Sequence, residues 1–266
     1  FLSKNGDLVP IEVNAAVIDY GGKPADLIVI RDISERKRME EKLLKAEKLA
    51  AIGELAASVG HDLRNPLTGI SGAVYYLKMK LATEMNKQSR DMLKLIEENV
   101  EYSNKIVNDL LDFSKEIYLQ RSRVSIKSMI EETLAKMRIP NKVEVVDLTG
   151  RLPKVFLDAG QMKRVFENLI KNAVEAMPNG GKLEIRSERV NGGLKITFHD
   201  TGVGIPPQNL QRLFTPLFTT KAKGVGLGLA ICKRIIDAHG GTINIKSKEG
   251  IGTHATVTIP IRKKQT

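Results

Sequence analysis

The sequence predicts a multidomain chain of α and α+β class: a helical hairpin that pairs with a second copy as a dimeric four-helix bundle, followed by an α/β sandwich. Three observations predict it. Apolar residues recur at alternating spacings of three and four in two successive segments, the pattern of amphipathic helices that seek a partner. Past Val124 helical stretches are interleaved with period-two strands. And 266 residues exceed what one core usually fills, about 100–200 residues.

Residues 1–33 alternate apolar and polar in Ile11-Glu12-Val13-Asn14-Ala15, turn at Gly21-Gly22 and continue through Leu27-Ile28-Val29-Ile30. This reads as a hairpin, and two or three strands do not bury a core alone, so the segment belongs to a larger domain. Ser34 is expected to cap a long helix, with Lys37 where a capping box would place a glutamate. Residues 34–48 form its helical linker. Leu49, Ile52, Ala56, Val59 and Leu63 then make a seam, and a second helix from Lys87 to Glu116 carries Met92, Leu95, Asn99, Tyr102, Ile106, Leu110 and Phe113 on one side. Such a hairpin covers little surface by itself, which predicts a homodimer through residues 49–120.

Residues 121–266 read as the sandwich, with helices at Ile126–Met137, Ala159–Met177 and Leu227–His239 and strands at Leu183–Ser187, Lys195–His199, Thr242–Ser247 and Ala255–Ile259. Strands cluster rather than alternate one for one with helices. A mixed sheet covered by helices on one face fits that order better than a Rossmann sheet.

Composition narrows the function. The single Cys232 forms no internal disulfide, shares a helical face with Ile235, Ile236 and His239, and reads as a buried hydrophobe. Four scattered histidines give no zinc spacing. No stretch approaches the ~18 uninterrupted apolar residues of a membrane span, so no membrane contact is expected within this segment and a cytoplasmic location is. The net charge of +11 is dispersed and lacks interleaved aromatics, so nucleotide phosphate is the expected anion and nucleic acid is not.

The chemistry begins at His61. It lies two positions from Val59 and Leu63, about 200° around the helix, and is expected to point away from the seam. A neutral imidazole of pKa about 6.5 is nucleophilic, and the adjacent Asp62 can orient it and take its proton. Asn65 follows, and Pro66 removes a helical N–H and is expected to kink the helix. On helix Ala159–Met177, Asn168 and Asn172 stand four apart with Lys171 beside them; amide oxygens suit Mg²⁺ and the ammonium suits phosphate. Asp200 ends a strand and can accept from an exocyclic amine, while Gly202 and Gly204 allow a ligand to approach the backbone. The stretch Lys223-Gly224-Val225-Gly226-Leu227-Gly228 opens a helix whose free N–H groups suit phosphates. Before it, the polar segment from Phe214 to Lys221 reads as a lid over a nucleotide, with Lys221 a candidate phosphate ligand.

Ser58-Val59-Gly60-His61-Asp62-Leu63-Arg64-Asn65-Pro66-Leu67 resembles the phosphoacceptor box of histidine kinases, with Asp62 where the family often has glutamate. In order, Asn168–Ala176, Asp200–Gly204, Phe214–Phe218 and Gly224–Gly228 resemble the N, G1, F and G2 boxes of their ATP-binding domain, the GHKL type. The segment ending in Arg31-Asp32-Ile33-Ser34-Glu35-Arg36 resembles the last strands and exit of a PAS sensor domain. The resemblance to PAS-linked sensor histidine kinases of two-component systems implies ATP and Mg²⁺ as cofactors. Asn172 would coordinate Mg²⁺ with help from Asn168, Lys171 would contact phosphates, and Asp200 would read adenine with Thr253 assisting. Gly224, Gly226 and Gly228 would form the base of a lid that is short for the family.

It further implies autophosphorylation of His61 and transfer to an aspartate on a response-regulator receiver domain. Asp62 and Asn65 match an acidic-x-x-amide pattern that in related kinases supports dephosphorylating that partner. Two other readings stay open, an ATPase of the same nucleotide fold and an ATP-binding dimeric scaffold. The ATPases carry a water-activating glutamate where this chain has Asn168, and Glu167 lies about 100° around the helix from that position.

Overall fold

The computed structural model describes residues 1, 8–81, 85–150, 152–221 and 224–261, excluding the side chains of residues 41, 42, 44–58 and 61. Strands β1 (Ile11–Tyr20) and β2 (Lys23–Asp32) form an antiparallel hairpin. Gly21 and Gly22 take positive φ at its turn, and Asp19 accepts from the Gly22 N–H, so the expected turn is the one formed. Nearly every apolar side chain of the hairpin is exposed on one face or the other.

Helix α1 (Ser34–Lys80) follows directly. Ser34 does not cap it: the helix already includes Ser34, whose N–H is taken by Asp32 Oδ1 at 2.8 Å. The carboxylate reaches back over Ile33, the residue at the cap position, which has no side-chain acceptor. The α-helix runs unbroken through Pro66. Helix α2 (Lys87–Ser114) is capped by Asn86, which accepts from the Ser89 N–H, and packs antiparallel on α1.

The contact between α1 and α2 does not use the stripe read from the sequence. Leu93, Val100 and Val107 are the buried residues of α2 inside the hairpin, one heptad apart, whereas Met92, Leu95 and Asn99 are exposed. Opposite them on α1 lie Gly60 and Val74. A Cβ on Gly60 would stand 2.8 Å from the Leu111 side chain, so the helices approach closely there. Arg64 donates to Asn108 at 3.0 Å and Lys78 to Glu97 on the same side. Val59 and Leu63 are 43% and 45% exposed. Val59 and Leu63 therefore lie on a second face of α1, outside its contact with α2.

The sandwich has a five-stranded sheet in the order β4-β6-β7-β9-β8. Its strands are β4 (Val143–Thr149), β6 (Gly181–Val190), β7 (Gly193–Asp200), β8 (Thr242–Lys248) and β9 (Gly252–Pro260). Only β4 with β6 is parallel. Short strands β3 (Ser122–Val124) and β5 (Val155–Leu157) pair separately. Helices α3 (Ile126–Lys136), α4 (Ala159–Glu175) and α6 (Gly228–Ala238) bury one face each in a common core, with α5 (Pro207–Leu210) a single turn. The expected helices and the four expected strands are present; β3, β4 and β5 had not been expected.

Cys232 lies in that core, its thiol pushed up to about 12 by burial, an inert packing group as expected. His239 closes the far end of α6. Its Nδ1–H faces the Ile235 carbonyl at 2.8 Å, and its Nε2 accepts the Asp158 N–H at 3.1 Å. The hairpin is joined to the sandwich by Phe113, which is 2% exposed and belongs to the sandwich core. Arg234 stacks over its ring and donates to the carbonyls of Phe113 and Lys115, so a cation from α6 satisfies the unpaired carbonyls at the end of α2. Arg164 of α4 pairs with Asp112 of α2 at 3.0 Å.

Candidate functional site

Between α4, the ends of β7 and β9 and the segment before α6 lies a cleft of about 360 Å³. Asn168, Lys171, Asn172, Asp200, Gly204, Lys221, Gly224, Gly226, Gly228 and Thr253 all line it. Gly202 alone of the predicted nucleotide residues stands just behind the wall.

Asp200 ends β7 directly opposite Thr253 of β9. Burial pushes its carboxyl up, and the N–H groups of Gly202 and Thr253 pull it back down. The Gly202 N–H donates to Asp200 Oδ1 at 3.0 Å, which fixes the direction of this buried carboxylate at the cleft. Thr253 Oγ1 is 2.9 Å from Ser247 Oγ, which also accepts the Ile205 N–H and reaches the Gly252 carbonyl. Ser247 thus pins the loop after Asp200 to the β8–β9 turn. The sequence reading missed it, since a lone serine at the end of a strand carries no signal of its own. Leu169, Ala173, Phe198, Ile245 and Ala255 form an apolar slot beside Asp200.

The glycines of the Asp200 loop also make room for neighbouring backbone. A Cβ on Gly202 would stand 2.5 Å from the Ala176 carbonyl oxygen, and one on Gly204 would be 2.2 Å from that of Lys248. Gly204 also has φ +69°. These residues let protein backbone pack on protein backbone, holding the end of α4 against the sheet. The same applies to Gly226, where a Cβ would meet the Phe218 carbonyl oxygen at 2.4 Å. Leu217 beside it has φ 63°, a strained conformation for a branched residue at the lid's base.

The two amides of α4 do different things. Asn168 donates to the Arg164 carbonyl at 3.0 Å, which turns its Oδ1 towards Gly228; a Cβ there would be 2.8 Å away. Asn172 Oδ1 accepts from the Lys221 ammonium at 3.0 Å, and Lys221 also pairs with Glu175. Lys171 lies 3.7 Å from Glu175. A lid cation therefore rests on the oxygen assigned to Mg²⁺, and Glu175 holds both candidate phosphate lysines. Lys223 lies outside the described residues.

Two residues that the sequence reading did not single out also line the cleft, Lys105 and Asp109 of α2. Burial pushes the Lys105 amine down, with Lys171 adding to the effect, and burial pushes the Asp109 carboxyl up. Their signal was a pair of charges four apart next to seam position Ile106.

His61 lies on α1, with its side chain outside the described ones, so its expected outward direction is not among the observations. Asp62 and Asn65 are exposed on the same helix. No group of three or more histidine, cysteine, aspartate or glutamate side chains placed to hold a metal ion occurs among the described residues.

Residues 51–117 match the His Kinase A (phospho-acceptor) domain model, and residues 157–263 match the Histidine kinase-, DNA gyrase B-, and HSP90-like ATPase model. The chain carries a histidine-kinase phospho-acceptor domain followed by a histidine-kinase-type ATPase domain. It is 34% identical over 247 residues to the signal transduction histidine-protein kinase AtoS of Escherichia coli K12, a match covering 91% of this chain and 40% of that protein. Full-length ShkA, solved with AMPPNP, superposes with a TM-score of 0.68 at 25% identity over 80% of this chain and 47% of that one. Histidine kinase ThkA, solved with response regulator protein TrrA, gives 0.62 at 27% identity over 96% of this chain and 80% of its own. The chain thus spans well under two thirds of the curated relative's length, and its N-terminal hairpin falls outside both matched domains.

Proposed function

We propose that the chain is the kinase portion of a two-component sensor, which transfers the γ-phosphoryl group of ATP to His61 and then to an aspartate of a response-regulator receiver domain. The observation that carries this reading is the cleft, where an aligned carboxylate, two amides and a glycine-lined lid meet on the same chain as a matched phospho-acceptor domain containing His61. The solved neighbours support it in kind, one holding an ATP analogue and the other a response regulator.

Each residue has a defined part. Asp200, braced by the Gly202 and Thr253 amides, accepts from the exocyclic amine of adenine, whose ring fills the apolar slot. Lys171 and Lys221 meet the phosphates once released from Glu175. Asn172, with Asn168, would hold Mg²⁺; its oxygen already faces a cation, and the pocket supplies the oxygen donors that ion requires. Bound there, the ion neutralises charge on the phosphates. Gly224, Gly226 and Gly228 let the lid turn onto α6, whose N-terminal N–H groups face the same region. His61 attacks in line while Asp62 takes its proton, and catalysis is chiefly positioning. Asn65 holds the water that dephosphorylates the regulator.

The open faces of α1 and α2 seat a second copy of the chain, completing a four-helix bundle. Residues 1–33 close a PAS-type domain, 34–48 link it to the dimerisation and phosphotransfer unit 49–120, and 121–266 bind ATP.

Incubation with γ-labelled ATP and Mg²⁺ tests the reading. Acid-labile, base-stable label on the protein, absent from His61→Ala, is the expected result. Free phosphate without protein label would establish an ATPase, and neither product would establish a scaffold.

A further inference from the structure

Nothing in the phosphoacceptor or nucleotide motifs accounts for Lys105. It belongs to the bundle helix α2, yet it lines the same cleft as Lys171, Asn172 and Lys221. Burial lowers the pKa of its amine, and the like charge of Lys171 on the same cleft wall lowers it further. A lysine four residues from an aspartate on a helix is ordinarily half of a solvated ion pair. Lys105 departs from that pattern because its second neighbour is another cation, and two ammonium groups held together repel unless an anion lies between them.

The available carboxylates are already engaged. Asp109 faces Lys105, Lys171 and Arg164 together, while Glu175 pairs with both Lys171 and Lys221. Asp112 is taken by Arg164. Three ammonium groups, Lys105, Lys171 and Lys221, therefore face two carboxylates beside the Asn172 oxygen. That surplus sits where a chain of phosphates extending from the Asp200 slot would run.

Building on the reading of the cleft as a nucleotide site, we infer that Lys105 is a phosphate-binding residue contributed by the bundle, and that its ligand is the terminal phosphate of a nucleoside polyphosphate. The phosphate replaces Glu175 as the partner of the lysines. Because Lys105 stands on α2 and Lys171 on α4, the bridging phosphate also ties the two domains together. Discrimination by phosphate number follows, since a monophosphate ends near the sugar and does not reach α2.

Calorimetric titration of the whole chain with ATP, ADP and AMP in the presence of Mg²⁺ tests this. Lys105→Ala is expected to weaken ATP by about tenfold and leave AMP unchanged. Lys105→Arg, which keeps the charge, is expected to retain ATP within about threefold. Lys105 is an exposed helix residue, and circular dichroism of both variants verifies the fold. An alanine variant that binds ATP as the wild type does, or that loses ATP and AMP in equal proportion, overturns the inference. Asp200→Asn is expected to weaken all three nucleotides, which separates the two failures. If the wild type binds and Asp200→Asn does not, while Lys105→Ala is silent, Lys105 alone is refuted. A wild type that binds no nucleotide refutes the cleft and Lys105 together.

Discussion

The helical hairpin and the α/β sandwich use amphipathic helices of the same kind and bury them to different extents. Helices α4 and α6 each turn one face into a core whose members Met162, Val165, Phe166, Ile170 and Ile236 are fully buried. Among the described side chains, helices α1 and α2 bury against each other a line through Gly60, Val74, Leu93, Val100 and Val107, and leave Val59, Leu63, Ile70, Met92, Leu95 and Ile96 exposed. A sheet from the same chain closes the first pair, whereas the second pair has no such sheet. Apolar periodicity thus states that a face will be covered, without stating whose atoms cover it. Phe113 stands at the junction, a residue of α2 that is buried in the other domain's core.

If that junction is part of the sandwich core, Phe113→Ala should cost about 3–5 kcal/mol in denaturant unfolding followed at the sandwich, as for a buried aromatic. A loss confined to the helical hairpin would break the comparison. Removing the cation that caps α2, by Arg234→Ala, should cost less, about 1–3 kcal/mol, because carbonyls of Phe113 and Lys115 lose their donor.

His239 sharpens the contrast through pH. Burial lowers its pKa below the ordinary 6.5, and the neutral ring accepts the Asp158 N–H. Above that value both folded and unfolded chains carry a neutral ring. As pH falls through 6.5 the unfolded chain takes up a proton that the folded one resists, so the sandwich loses stability down to the folded pKa. Thermal midpoints measured from pH 7.5 to 5 should fall on the acid side and fall less in His239→Gln.

The smallest effect on a protomer is expected at the open seam. Leu95→Ser should change sandwich unfolding by no more than about 0.5 kcal/mol, as for an exposed site. The same substitution should weaken self-association in sedimentation equilibrium. An unchanged dimer would mean that the exposed line is not the seam.

Most of the nucleotide cleft was legible in the sequence because its parts are local: an Asn-x-x-x-Asn spacing on one helix, an aspartate at a strand end, and glycines where backbone approaches backbone. The motif located the glycines, but it did not tell that Gly202 and Gly204 also make room for Ala176 and Lys248, neighbours that only the fold supplies. Strand β4 escaped notice because it pairs in parallel with β6 across an intervening helix, and its mixed Val143–Thr149 pattern shows one half-buried face. Ser34 was mistaken for the cap because Asp32 reaches over the intervening residue.

What the sequence determined by itself was the set of elements and their chemistry, since helix period, strand alternation and motif spacing act over a few residues. What only the tertiary structure decided was which distant groups share a space: Lys105 with Lys171, Lys221 with Asn172, Phe113 with α6, and Ser247 with Ile205. Those pairings follow from how a sheet and two helix pairs pack at fixed separations, and packing joins residues whose distance along the chain carries no trace of it.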